Sequence, residues 1–275
     1  MIEDYARTLC ALKHEFSQTY SGTSHIQEIL PLYSTKEFSF PQIELDLLHD
    51  FAQKNPIYTN SYEQTLSEIT CVVYEGDINE YWLNSIKHGS SCQPFYPTWI
   101  MSAYIMALNA KNLGFKELID IGSGDGRIAY CGKVLGLNVH GIEIDDVLVD
   151  LQKTIVSTTG INFDPHCADA LDFDYSSFDL TSPVFFIGGL PQMGGDMLAA
   201  SIIEKINSIP SLKKNTCVVF AGSHSKKHLA GNQKSGGWSA LIEKHNLCEL
   251  KTIYLPTVWT FDQDVDTQYL YAKFN

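Results

Sequence analysis

Three glycines spaced two apart, Gly122, Gly124 and Gly126, follow the apolar residues Leu118, Ile119 and Ile121 in the run ELIDIGSGDGRIAY at 117–130. This reads as a short buried strand that turns sharply into a helix. The glycines let the backbone pass close beneath a ligand and expose the helix N-terminus to a polar group. Asp120 ends the strand with a carboxylate. A dinucleotide fingerprint requires G-x-G-x-x-G, and Arg127 stands where its last glycine would fall, so nicotinamide and flavin dinucleotides are disfavoured. Glu143 ends a second strand, NVHGIE, 17 positions after Gly126. That is near the distance at which an acidic side chain meets a nucleoside ribose, and a carboxylate can accept hydrogen bonds from both ribose hydroxyls. Asp145 reads instead as the cap of the following helix. Asp125 and Arg127, at the helix start, read equally well as a cap or a surface ion pair.

An acidic residue followed by G-x-G-x-G is similar to the first motif of the class I, S-adenosylmethionine-dependent methyltransferases. The fuller string DIGSGDGR resembles a narrower group, the seven-strand, non-SET lysine methyltransferases related to the disruptor-of-telomeric-silencing family and their small archaeal counterparts. PFYPTW at 94–99 stands where that group carries a Pro-aromatic-x-Pro-Thr segment, and GLPQ at 189–192 resembles its Leu-Pro step after the fourth strand. The resemblance covers residues 94–275 and departs from the pattern at Trp99, where proline is usual, and at Gly188-Gly189, where larger apolar residues are common.

The resemblance implies S-adenosyl-L-methionine as cofactor and a role for each matching residue. Glu143 would hold the ribose, Asp169 the adenine amino group, and Ala170 the ring. Asp120 would face the methionine ammonium, usually through water, with backbone of Gly122, Ser123 and Gly124 near the methionine part. Tyr96 and Thr98 would lie over the methyl-donor end as catalytic candidates, the tyrosine hydroxyl orienting an amine. Methyl transfer from a sulfonium draws its driving force from the cofactor, so the protein mainly positions the reactants and excludes water. A lysine acceptor can lose its proton by desolvation, which fits a chain with no obvious catalytic dyad. The Asn/Asp-Pro-Pro-aromatic motif of nucleobase and glutamine methyltransferases is absent, GGLPQ standing in its place. His224, a lone loop histidine, reads more readily as structural or exposed than as a base.

Elements that could carry these residues follow from periodicity. Ile2, Tyr5, Leu9, Leu12 and Phe16 recur at helical steps, as do Ile43, Leu47 and Phe51; Tyr62, Leu66 and Ile69 do so after a capping box at Ser61 and Gln64. Residues 1–93 are therefore expected to form a helical unit, with a break at Asn55-Pro56. Residues 94–275 alternate helices and strands, the signature of a doubly wound, mostly parallel α/β sheet. Strands are expected at 117–121, 139–144, 162–167, 183–187, 216–221, 249–254 and 269–274, the last two forming a hairpin. A seven-strand Rossmann-like sheet with an antiparallel final strand is what the resemblance implies.

Composition narrows the function classes. With 275 residues and 44% hydrophobic content the chain can bury a sizeable core. No apolar run is long enough to span a membrane, and MIEDYARTLC carries acidic residues where a signal peptide would be basic, so a soluble, cytoplasmic protein is expected. Seven cysteines without C-x-x-C read as reduced thiols, Cys71, Cys131, Cys167 and Cys217 among them in the core, with no metal site. A formal net charge of −13 disfavours nucleic acid and suits a basic protein substrate or a small molecule. The one lysine-rich stretch, residues 223–237 with Lys226, Lys227 and Lys234, reads as a surface loop. The sequence therefore points to a methyltransferase acting on protein lysine. The alternatives are a small-molecule methyltransferase of the same fold and a non-catalytic scaffold.

Overall fold

The computed structural model describes residues 1–86, 94–223, 235–257 and 266–275, except for the side chain of Gln192. Helix α1 (Ile2–Thr19) buries Tyr5, Leu9, Leu12 and Phe16, the expected stripe. Helix α2 (Gln42–Lys54) forms where expected and ends before Asn55, but it faces the core with Leu45, Leu48, Phe51 and Ala52, leaving Ile43 70% exposed. The expected third helix is a β-hairpin. Strands β2 (Tyr58–Leu66) and β3 (Ile69–Gly76) pair antiparallel, with Leu66 opposite Ile69, and turn at Ser67 and Glu68, both in the left-handed region. Tyr62, Leu66 and Ile69 fit a helical step by coincidence. The β-branched run of β3 instead alternates inward Ile69, Cys71 and Val73 with partly exposed Thr70 and Val72, the period of a strand. Strand β1 (Ile26–Pro31) pairs with β3 to complete a three-stranded sheet, so the segment before residue 94 is mixed rather than helical.

Beyond helix α3 (Asn79–Ser85), helix α4 (Ile100–Asn112) buries all faces except its C-terminal end. The main sheet contains β4 (Glu117–Ile121), β5 (Asn138–Glu143), β6 (Pro165–Cys167), β7 (Pro183–Ile187), β8 (Cys217–Ala221), β9 (Leu247–Pro256) and β10 (Asp266–Phe274). Its order is β6-β5-β4-β7-β8-β10-β9, and only β10 runs antiparallel. This is the doubly wound, Rossmann-like seven-strand sheet with an antiparallel final strand that the resemblance implies, with β9 and β10 as the expected hairpin. Helices α5 (Arg127–Val134), α6 (Asp146–Thr159), α7 (Gly195–Ser208), α8 (Pro210–Lys213) and α9 (Ser239–Lys244) complete the described α-helices.

One core cluster lies between the sheet and the N-terminal elements, joining Leu9, Phe16, Phe51 and Val73 to Tyr104, Tyr130 and Tyr271. The other lies under α7 and includes Ile202, Ile203, Phe185 and Trp238. Helix α1 packs on β9, and α2 packs on α5 and α6, so the N-terminal segment covers one face of the α/β unit. Each fully buried Leu or Phe in that cover contributes about 1.5–3 kcal/mol. Cys71, Cys131 and Cys217 are buried as expected, whereas Cys167, at the end of the short edge strand β6, is exposed. No described helix is long and apolar enough to cross a membrane.

Candidate functional site

The carboxyl ends of β4, β5, β6 and β7 open into a cavity of about 700 Å³. Open parallel sheets place ligands here, where strand order reverses between β4 and β7. Every sequence-selected residue lines it: Tyr96, Thr98, Asp120, Gly122, Ser123, Gly124, Glu143, Asp169 and Ala170.

The glycine loop is held from several sides. Gly122 and Ser123 donate backbone hydrogen bonds to Ile142 O, and Gly124 N donates to Glu143 Oε2 at 2.8 Å. Gly124 has φ +58, and a Cβ there would sit 2.6 Å from the Phe95 ring, so only glycine fits. Gly188, at the end of β7, lies so close to the loop that a Cβ would be 2.8 Å from Ile121 O; the small residue that departs from the family pattern is therefore required by this packing. Trp99, the other departure, is buried in the core and does not line the cavity.

The carboxylates that line the cavity are held differently. Glu143 is 7% exposed and accepts from Gly124, Ile144 and Asp145 backbone N–H groups. Those bonds leave room on Oε2 for one further donor rather than two hydroxyls on two free oxygens. Burial still raises its pKa, the backbone hydrogen bonds opposing that shift. Asp120 is 2% exposed, and burial pushes it up to about 8, against a hydrogen bond from the Ala129 backbone. Its Oδ2 has no hydrogen-bond partner. Asp169 accepts from Leu171 N through Oδ1 and stays part-exposed, and Ala170 is buried beside it. Asp145 caps α6 by accepting from Val147 and Leu148 N–H, as expected. Ser123 turns its hydroxyl inward to Gln152, whose amide nitrogen also reaches Gly124 O at 2.7 Å.

Tyr96 stands 47% exposed at the cavity mouth. Thr98 is buried, and its hydroxyl lies 3.3 Å from that of Tyr269, a further cavity-lining residue that sequence reasoning missed. Tyr269 reaches the site only because β10 inserts between β8 and β9, an arrangement without a local signal. His224, Lys226, Lys227 and Lys234 lie outside the described residues.

The larger omission concerns Arg127 and Asp125, which form no surface pair. Arg127 is 3% exposed and forks onto Asp125 through Nε at 2.9 Å and Nη2 at 2.6 Å. Its Nη1 donates to Glu28 Oε2 at 3.1 Å and to Thr98 O. Tyr58 hydroxyl accepts from Arg127, Asn55 donates to Asp125, and Ile100 N donates to Glu28. Glu28 is fully buried, and that burial pushes it up to about 8 although Arg127 pulls the other way. Three N-terminal residues thus hold the helix that begins at the glycine loop. Only the charged pair at 125 and 127 was visible in advance; its partners lie 99 and 69 positions from Arg127.

No family model matches the chain, and no characterised protein matches it in sequence. Solved structures with similar outlines include a tRNA (uracil-54, C5)-methyltransferase from Pyrococcus abyssi in complex with S-adenosyl-L-homocysteine, at 12% identity and TM-score 0.46, covering 66% of this chain and 40% of that one. A magnesium protoporphyrin IX methyltransferase from Synechocystis PCC 6803 with bound S-adenosyl-L-homocysteine has 12% identity and TM-score 0.44, covering 64% and 81%. A ribosomal protein methylase from Lactobacillus delbrueckii subsp. bulgaricus has 15% identity and TM-score 0.43, covering 64% and 79%. The chain thus spans well under two thirds of the Pyrococcus enzyme. At such values the fold is read from this chain's own strand order, and substrates named for the others stay with them.

Proposed function

We propose that this chain is an S-adenosylmethionine-dependent methyltransferase whose acceptor is a protein amine, lysine first. The observation that carries the cofactor reading is Asp120 Oδ2, a buried carboxylate oxygen without a partner beside the glycine loop. Leaving such an atom unsatisfied is costly, and a ligand ammonium relieves it. The remaining residues fit the same group. Glu143 Oε2 suits a ribose hydroxyl, Asp169 with one oxygen uncommitted suits the adenine amino group, and Ala170 supplies an apolar face.

When bound, this cofactor supplies an electrophilic methyl group on a sulfonium. The chain's own residues supply position and dryness. Phe95, Leu190, Met193, Met197 and Leu198 line the cavity with apolar surface, which disfavours the charged form of an entering amine. The hydroxyls of Tyr96 and Tyr269 are the groups that can orient its nitrogen.

The rim supports a protein acceptor. Tyr96, Leu171 and Met197 are 47%, 43% and 61% exposed there, an apolar collar suited to a docking chain. Among the described lining residues the only cation is Arg127, already committed to Asp125 and Glu28, which disfavours a phosphate backbone. Buried thiols at Cys71, Cys131 and Cys217 support a reducing, cytoplasmic compartment.

Isothermal titration with S-adenosylmethionine, its demethylated product and NAD tests the cofactor reading. Affinity on the order of micromolar for the first two alone is the expected result. Binding of neither moves the weight to a scaffold. A labelled-methyl assay on denatured lysate against free metabolites then separates a protein acceptor from a small molecule.

A further inference from the structure

At the β6 edge of the sheet, outside the cavity lining, His140, Asp164 and His166 bring one ligand atom each to within 4.8 Å of one another. His140 Nδ1 lies 2.7 Å and His166 Nε2 3.1 Å from the same oxygen, Asp164 Oδ2. The sheet register produces this. Ile142 of β5 is opposite His166 of β6, so His140, two positions earlier, projects on the same face as His166. Both imidazoles are held by rings. His140 stacks on Phe178 with centroids 3.8 Å apart, and His166 lies edge-on to Phe173 at 5.3 Å. Asp164 is held by its backbone, whose carbonyl accepts from Gly141 N, at φ +51, a conformation that a non-glycine residue adopts at a cost.

We propose that His140, Asp164 and His166 bind one divalent transition-metal ion of the zinc class, which staples the edge strand β6 to β5. Two imidazoles and a carboxylate with water in the fourth position form a recurrent zinc donor set. Metal–ligand bonds of about 2.0–2.2 Å put neighbouring ligand atoms about 3–3.5 Å apart. The two Asp164 distances of 2.7 and 3.1 Å and a third pair within 4.8 Å need changes of up to about an ångström to meet that spacing. Asp164, 53% exposed, is the ligand free to make them. Each neutral imidazole presents its lone pair to the ion by carrying its proton on the other ring nitrogen. β6 has only three residues, and the loop after it carries Asp169 and Ala170 to the cavity, so the ion would fix the shortest strand at the base of that loop.

The test is titration of the full chain, freed of metal, with Zn²⁺ and with Co²⁺, comparing it with Asp164→Asn and His166→Gln. Both altered side chains are part-exposed and leave the core intact. The expected result is one equivalent bound with Kd on the order of micromolar or tighter. Each variant weakens binding by about 100-fold or more, and Zn²⁺ raises the melting temperature of the unaltered chain alone. The Co²⁺ complex shows d–d bands without a thiolate charge-transfer band. No binding up to about millimolar metal overturns the proposal. So does binding that both variants retain, or a thiolate band, which would move the ion to the exposed Cys167 or Cys248.

Discussion

Asp120 is the residue whose chemistry is most exposed to test. Burial holds its carboxyl near neutrality, pushed up to about 8, so at lower pH an arriving ammonium must first expel a proton. Affinity for S-adenosylmethionine is therefore expected to rise with pH, by up to about tenfold per unit, and to level off above about pH 8. 5′-Methylthioadenosine, which keeps the ribose near Glu143 but lacks the amino acid, serves as the control and is expected to show a flatter profile. Titration calorimetry of both ligands between about pH 6 and 9 reads the difference, and Asp120→Asn should remove it. Glu143→Ala is expected to weaken the cofactor by about 1–3 kcal/mol. It also strands the N–H groups of Gly124, Ile144 and Asp145, so the ligand-free protein should melt earlier as well. Gly124→Val meets the Phe95 ring and a left-handed backbone, costing about 1–3 kcal/mol of stability and abolishing cofactor binding. Retained affinity in both variants, measured by the same calorimetry, would remove the cavity as the cofactor site.

At the scale of elements, the glycine loop depends on strands that contribute nothing to the cavity wall. Glu28 on β1 and Tyr58 on β2 reach Arg127 on α5, and Arg127 in turn holds Asp125 inside the loop. A buried pair is worth little relative to an apolar replacement, but removing one partner leaves uncompensated charge. Arg127→Ala leaves the buried Asp125 without its cation and Glu28 without one of its hydrogen-bond donors, and is expected to cost about 3–5 kcal/mol, read as a lower urea midpoint at unchanged slope. Arg127→Lys should recover little of it, because a single ammonium cannot reproduce the fork onto Asp125 together with the bonds to Glu28 and Thr98. Glu28 sets the sign of the pH response. Its folded pKa, near 8, lies above the unfolded value of 4.5, so its contribution is complete below about pH 4.5 and is lost as pH rises through about 8.

For the whole molecule, the N-terminal segment and the α/β unit share one core cluster. Leu9, Phe16 and Phe51 sit in the same cluster as Tyr104, Tyr130 and Tyr271. A chain cut to residues 94–275 would expose the buried faces of α4 and α5, so it is expected to lose the cooperative thermal transition of the full chain, followed by circular dichroism. A stable, cofactor-binding fragment would instead make the first 93 residues a separable domain. The sequence by itself determined what short-range periodicity and backbone chemistry encode. The helix and strand alternation after residue 94, the left-handed turn through Gly122 to Gly126, and Asp120 and Glu143 at strand ends are all written within a few residues of themselves. The same local reading mistook β2 and β3 for a helix, because Tyr62, Leu66 and Ile69 satisfy a helical step as well as an irregular strand pattern. Tertiary structure alone decided which of these pieces meet. Arg127 lies 99 positions from Glu28, and Thr98 lies 171 from Tyr269. Contacts of that range depend on the order in which strands enter the sheet and on which helix face is covered, and no pattern within one segment carries that information.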